Sequence, residues 1–91
     1  MNKFFHEYDL VEQIRTILLR DWDPVGIGDN PNLKDEYDSY LPELVRILRI
    51  SPVSEDAVLA YLQKIEVDRM GLPEDPERIA ISAKNLVKLV M

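Results

Sequence analysis

Apolar residues return at the spacing of an α-helix in four stretches of this chain, and a proline or glycine stands just beyond each of the first three. No strand-length alternation competes with that period. It restricts the chain to an all-α class: a single-domain, four-helix bundle-like fold with a long ordered loop between helices 1 and 2. A chain of 91 residues supports one modest core, since domains of this size bury only about 60–65% of their unfolded surface.

The first stretch carries Leu10, Ile14, Ile17 and Leu18, widened by Val11, Leu19 and Trp22, and predicts a helix over 7–22. Asp9 suits a late cap; the alternative is that Phe4, Phe5 and Tyr8 join the core ahead of it. Pro24 lacks an N–H and drives Asp23 out of the α region, so the helix ends at or before Asp23. A second helix over 35–49 carries Tyr37, Tyr40, Leu41, Leu44, Val45, Ile47 and Leu48. With Ser39 as N-cap, Pro42 falls harmlessly in the first turn; the Tyr37 to Leu44 period favours an early start near Asp35, bent at the proline.

The third helix, over 54–70, opens on Ser54 as N-cap, with Glu55 and Asp56 in the first turn and Val53 and Val58 spaced as a staple. Val58, Leu59, Leu62 and Ile65 make its inner stripe. Gly71 stands where a left-handed residue closes the helix, with Leu72 folding back on Val67 and Pro73 preventing continuation. The fourth, over 75–90, opens on Asp75 and Pro76 and turns Ile79, Ala83, Leu86, Val87 and Val90 inward. Its Arg78, Lys84 and Lys88 form a basic end able to lie over the acidic middle of the chain. The predicted core is Leu10, Ile14, Ile17, Leu18, Leu44, Leu48, Val58, Leu62, Ile65, Leu86 and Val90.

That acidic middle, W-D-P-V-G-I-G-D-N-P-N-L-K-D-E-Y-D-S-Y from Trp22 to Tyr40, holds the chain's single Trp. Counted from Asp21 it carries six carboxylates (Asp21, Asp23, Asp29, Asp35, Glu36, Asp38) against Lys34, in a chain whose net charge is -6. Gly26 and Gly28 flank Ile27, which predicts a loop packed down around an apolar anchor. Turn formers, aromatics and acids together suit a shaped functional loop on a rigid scaffold. Asp23, Asp29, Asp35, Glu36, Tyr37, Asp38 and Tyr40 are the candidate partner-binding residues. Trp22 continues the apolar stripe of helix one and reads as core.

Chemistry is harder to place. Without cysteine there is no disulfide, thiolate metal site or thiol nucleophile. The lone His6 excludes a histidine dyad or an all-histidine metal site. Ser39, Ser51, Ser54 and Ser82 lack a base nearby in sequence, so no residue is assigned a catalytic role. G-I-G-D-N is too short for a dinucleotide loop, and no G-K-[ST] follows for phosphates. Asp29, Asp35, Glu36 and Asp38 offer oxygens to a hard cation, but the calcium-hand pattern fails at Pro31 with no glycine in register, so no metal and no cofactor are expected. The acidity argues against nucleic acid, which demands cations, and suits a partner with a basic surface. No signal sequence or apolar span suggests a membrane, leaving a cytoplasmic protein as the expectation.

The combination L-L-R-D-W-D-P-V-G-I-G-D-N-P, D-E-Y-D-S-Y and I-E-V-D-R-M-G-L resembles a family of small bacterial helical proteins of unknown function built around W-D-P-x-G and D-E-Y-D-x-Y. The resemblance covers about Leu18 to Leu72. It implies a short partner protein of the kind encoded beside polymorphic toxins, some of which act as immunity proteins. Its pattern falls on Trp22, Asp23, Pro24, Gly26, Asp35, Glu36, Tyr37, Asp38, Tyr40, Glu66, Arg69, Met70 and Gly71, with Gly28 beside it in the loop. Trp22, Pro24, Gly26, Gly28, Glu66, Arg69 and Gly71 are expected to be structural. Arg69, at the end of helix three, is expected to reach Asp35, Glu36 or Asp38 and fasten the acidic segment down. The function expected is that of a non-enzymatic acidic binding module, and the resemblance implies a basic toxin domain as its partner. The alternative is a small carboxylate-based metal-binding protein or metal-dependent enzyme.

Overall fold

The computed structural model describes residues 7–91, with side chains from Asp9 onward; Phe4, Phe5, His6 and the Tyr8 side chain lie outside the described residues. Helix α1 (Glu7–Ile17) runs on into a π turn, Leu18–Trp22. A long loop with 3-10 turns at Pro31–Leu33 and Asp38–Tyr40 leads to α2 (Leu41–Leu48). Helix α3 (Glu55–Lys64) also ends in a π turn, Ile65–Arg69, and α4 (Pro76–Lys88) follows. Among the described residues no strand forms, so the all-α, four-helix architecture with its ordered loop is that of the protein. Helix α4 lies along α3 and also meets α1 and the π turn Leu18–Trp22, while α2 packs against α1 and α3.

Caps fix two helix starts. Ser54 Oγ accepts from the N–H of Ala57 at 3.1 Å, and Asp75 Oδ1 accepts from the N–H of Arg78 at 3.2 Å with Pro76 at the first position. Each satisfies an otherwise orphaned donor of a first helical turn. Helix three closes on Gly71 at φ +66°, but its return bond differs from the expected one. The Leu72 N–H reaches Glu66 O at 3.0 Å, one residue further back than a Schellman ending on an α-helix, because the π turn has added a residue. Val67 is left exposed.

The start of helix two is a correction. It begins at Leu41, not near Asp35. Residues 35–40 form tight turns instead, with Glu36, Asp38 and Tyr40 N–H groups bonded to the carbonyls of Leu33, Asp35 and Tyr37 at 3.0–3.1 Å. Pro42 then falls in the first helical turn, where the missing N–H leaves nothing unpaired. Ser39 does not cap the helix; the capping position is Tyr40, whose side chain makes no cap bond. Between α2 and α3 the Ser51–Pro52 peptide is cis.

Leu10, Ile14, Ile17, Leu18, Leu44, Leu48, Val58, Leu62, Ile65 and Leu86 are buried, while Val90 lies half-buried at the rim. The core is wider than predicted, taking in Trp22, Tyr37, Leu41, Val45, Ile47, Ile79, Ala83 and Val87. Three of these come from the Trp22 to Leu41 segment, so the loop region completes the core.

Candidate functional site

The loop is organised by Asp23. It ends the first helix in the left-handed region at φ 33°, ψ 60°, which a short polar side chain tolerates better than most. One carboxylate oxygen accepts from the Ile27 N–H and the Tyr37 hydroxyl, both at 2.8 Å; the other accepts from the Gly28 N–H at 2.9 Å. Burial pushes this carboxyl upward, and the bonds from Ile27, Tyr37 and Gly28 outweigh it, holding the group below the usual carboxylate range. Tyr37 accepts in turn from the Val25 N–H at 3.3 Å. Its hydroxyl is pushed well above the ordinary tyrosine value by burial, with the bond to Asp23 adding to it.

The two glycines work differently. Gly26 is at φ +70° with open space around it, so it is needed for backbone conformation. Gly28 is needed for room: a Cβ there would lie 2.4 Å from Leu19 O and 2.9 Å from Asp23 Oδ2.

Beneath the loop lies a buried polar bond. Trp22 is fully buried, and its Nε1 donates to Glu66 Oε1 at 2.9 Å. Glu66 is itself only 1% exposed, and its Oε2 accepts from the Asp75 N–H at 2.9 Å. The two π turns thus supply the two ends of one bond joining the first half of the chain to the second. Tyr37 and Tyr40 pack on the indole at centroid distances of 5.2 and 6.2 Å, the latter edge-on at 81°. Arg78 closes the other side, donating to Trp22 O and Asp23 O at 3.2 and 3.3 Å, and Asn85 donates to Asp21 at 3.0 Å. Helix four therefore grips this region mainly through neutral acceptors; Lys84 and Lys88 are exposed.

Several expectations change here. Tyr37 is 1% exposed, so it serves the core and is removed from the partner-binding candidates. Asp23 spends its acceptor capacity inside the loop. Asp38 is gripped by Arg15 of α1 through a two-pronged pair at 2.9 and 2.8 Å, Arg15 also bonding Glu12. The hydrogen bond to Asp38 raises the guanidinium value further above its ordinary range. Among the described residues no ion pair links Arg69 to Asp35, Glu36 or Asp38; its guanidinium lies over the Tyr40 ring, 5.9 Å from the centroid. Pro24 and Tyr40 are half-buried, and Gly71 is exposed at its left-handed turn. Asp29, Asp35 and Glu36 remain exposed, and among the described residues no side-chain partner holds them.

Arg15 and the Trp22–Glu66 pairing escaped sequence reading. The second had a signal: Glu66 follows Leu62 by one helical turn, on the face that carries the apolar stripe, and a buried acid requires a buried donor. Among the described residues, no group of three or more His, Asp or Glu side chains is placed to hold a metal ion, and no helix is long and apolar enough to cross a membrane. An open recess lined by Ala60, Gln63, Lys64, Val67, Asp68 and Glu74 brings no hydroxyl nucleophile together with a base. No family model, curated protein or solved structure matches the chain.

Proposed function

We propose that this chain is a non-enzymatic, acidic protein-binding module whose Asp29, Asp35 and Glu36 dock on a basic protein surface. The supporting observation is how the loop distributes its bonds. Asp23 and Tyr37 are consumed in holding the loop backbone and Asp38 in its pair with Arg15 of α1, while Asp29, Asp35 and Glu36 stay exposed on a segment so fixed. Carboxylates on a rigid support lose little freedom on docking, and they speed encounter with a cationic face without any chemistry. The resemblance to immunity-type proteins points the same way. On this reading the partner is a basic toxin domain, whose cationic substrate-binding cleft the module covers in the cytoplasm.

The test compares the immobilised wild-type chain with an Asp29→Asn, Asp35→Asn, Glu36→Gln variant for capture from host extract. The expected result is a protein with a basic surface, held by the wild type at low salt and lost from the variant. It is also released at roughly 0.5 M salt, where screening reaches within a few Å. Equal capture by both chains, with both folded, overturns the proposal.

A further inference from the structure

We infer that Arg69, seated on the Tyr40 ring, is a second recognition point of the same interface and takes a carboxylate side chain of the protein partner; the inference rests on the protein-binding reading above. Arg15, Arg20, Arg46 and Arg78 each hold a carboxylate of this chain, those of Asp38, Asp21, Glu43 and Asp75. Arg69 holds none among the described residues and is exposed, in a chain whose net charge is -6.

Its position is built from the interior outward. Glu66 accepts from Trp22, Trp22 and Tyr40 pack T-shaped, and the guanidinium lies over the Tyr40 ring. Glu66 and Arg69 share one π turn, so the circuit closes through backbone. An arginine held against an aromatic ring keeps its fork of N–H donors available in a limited set of orientations. That fork matches a carboxylate in two parallel bonds, and pre-ordering reduces what docking must still fix. Tyrosine and arginine are also the residue types that dominate interface energetics.

Charge pattern selects the occupant. Tyr40 follows Glu36 by four residues, so their Cα atoms lie within about 15 Å, inside the span of one ordinary interface. A partner that brings cations to Asp35 and Glu36 and one carboxylate to Arg69 matches both signs at once, which fixes register and rejects uniformly basic surfaces. A doubly charged phosphate meets repulsion from the same neighbouring acids, so a carboxylate is the better fit.

The experiment follows the side-chain N–H signal of Arg69 and the ring signals of Tyr40 in the isotope-labelled full chain. Sodium acetate, sodium chloride and inorganic phosphate are titrated at matched ionic strength. Acetate is expected to give saturable shifts that chloride does not; Arg69→Gln loses the Tyr40 response, and Tyr40→Phe, which keeps the ring, retains the Arg69 one. Because Arg69 is exposed, Arg69→Gln should melt like the wild type, so loss of response reports binding. Equal effects of acetate and chloride, or tighter binding of phosphate than acetate, overturn the inference. A separate titration with hexalysine, read at Asp29, Asp35 and Glu36, tests the acidic face independently. Shifts there with no acetate response at Arg69 defeat the Arg69 inference alone, and the reverse result defeats the acidic-face reading alone.

Discussion

At residue scale the decisive side chain is Glu66, an acid at a position where helical spacing calls for a hydrophobe. Two donors converge on it, the Trp22 indole N–H and the Asp75 backbone N–H, each meeting its own oxygen. Glutamine has the same shape but only one acceptor oxygen, so in either orientation its amide turns N–H groups toward a donor. Glu66→Gln is therefore expected to destabilise by about 1–3 kcal/mol, the penalty of an unsatisfied buried polar group. For a domain of this size that lowers Tm by roughly 4–8 °C per kcal/mol. Denaturant unfolding followed by Trp22 fluorescence measures it, and an unchanged midpoint means that the bond contributes nothing net.

At the scale of elements, the helices were readable because their signals are local. Ser54, Asp75 with Pro76, and Gly71 each act within a few residues of themselves, and each stands where its spacing places it. The start of helix two differs from the periodicity's expectation because the period of Tyr37, Tyr40, Leu41 and Leu44 is also satisfied by successive 3-10 turns entering a later helix; tertiary contact with Trp22 decides between them. The loop was legible as ordered but not as to its means, since Asp23 meets Tyr37 across fourteen residues, and Arg15 meets Asp38 across twenty-three. Such distant pairs leave no mark on periodicity, which is why three candidate contact residues proved to be fastenings. The loop's glycines supply its own test. Gly26→Ala meets only the strain of a left-handed backbone, about 1–2 kcal/mol. Gly28→Ala drives a methyl group against Leu19 O and the Asp23 carboxylate, displacing the element that Asp23 holds, and should cost more. Equal midpoints for the two variants in urea unfolding would show that the loop yields freely at Gly28.

For the whole molecule, two groups joined by one hydrogen bond set expectations at opposite ends of the pH scale: Tyr37, raised first by burial and then by that bond, and Asp23, where burial is outweighed by the bonds from Ile27, Tyr37 and Gly28. The Asp23 carboxyl titrates lower in the folded chain than in the unfolded one, so the unfolded state takes up its proton first as pH falls. Its stabilisation is complete above the ordinary carboxylate value near 4 and is lost as pH drops through the lowered folded value. The Tyr37 hydroxyl is shifted the other way. Its contribution is complete below the ordinary tyrosine value of about 10 and declines as pH rises beyond it, because the unfolded chain ionises there while the folded chain resists. One such group changes stability by at most about 1.4 kcal/mol per pH unit. Tyr61, also raised by burial, adds a slope of the same sign, so Tyr37→Phe should flatten the alkaline limb without abolishing it. Asp23→Asn should flatten the acid limb in the same partial way, since Asp21, lowered mainly by its bond from Arg20, persists. Urea midpoints for wild type, Tyr37→Phe and Asp23→Asn across both limbs provide the measurement. Wild-type slopes in both variants, beneath a uniform loss of stability, would mean that the Asp23–Tyr37 bond supports the loop only as a neutral contact and that the pH limits of the fold are set elsewhere.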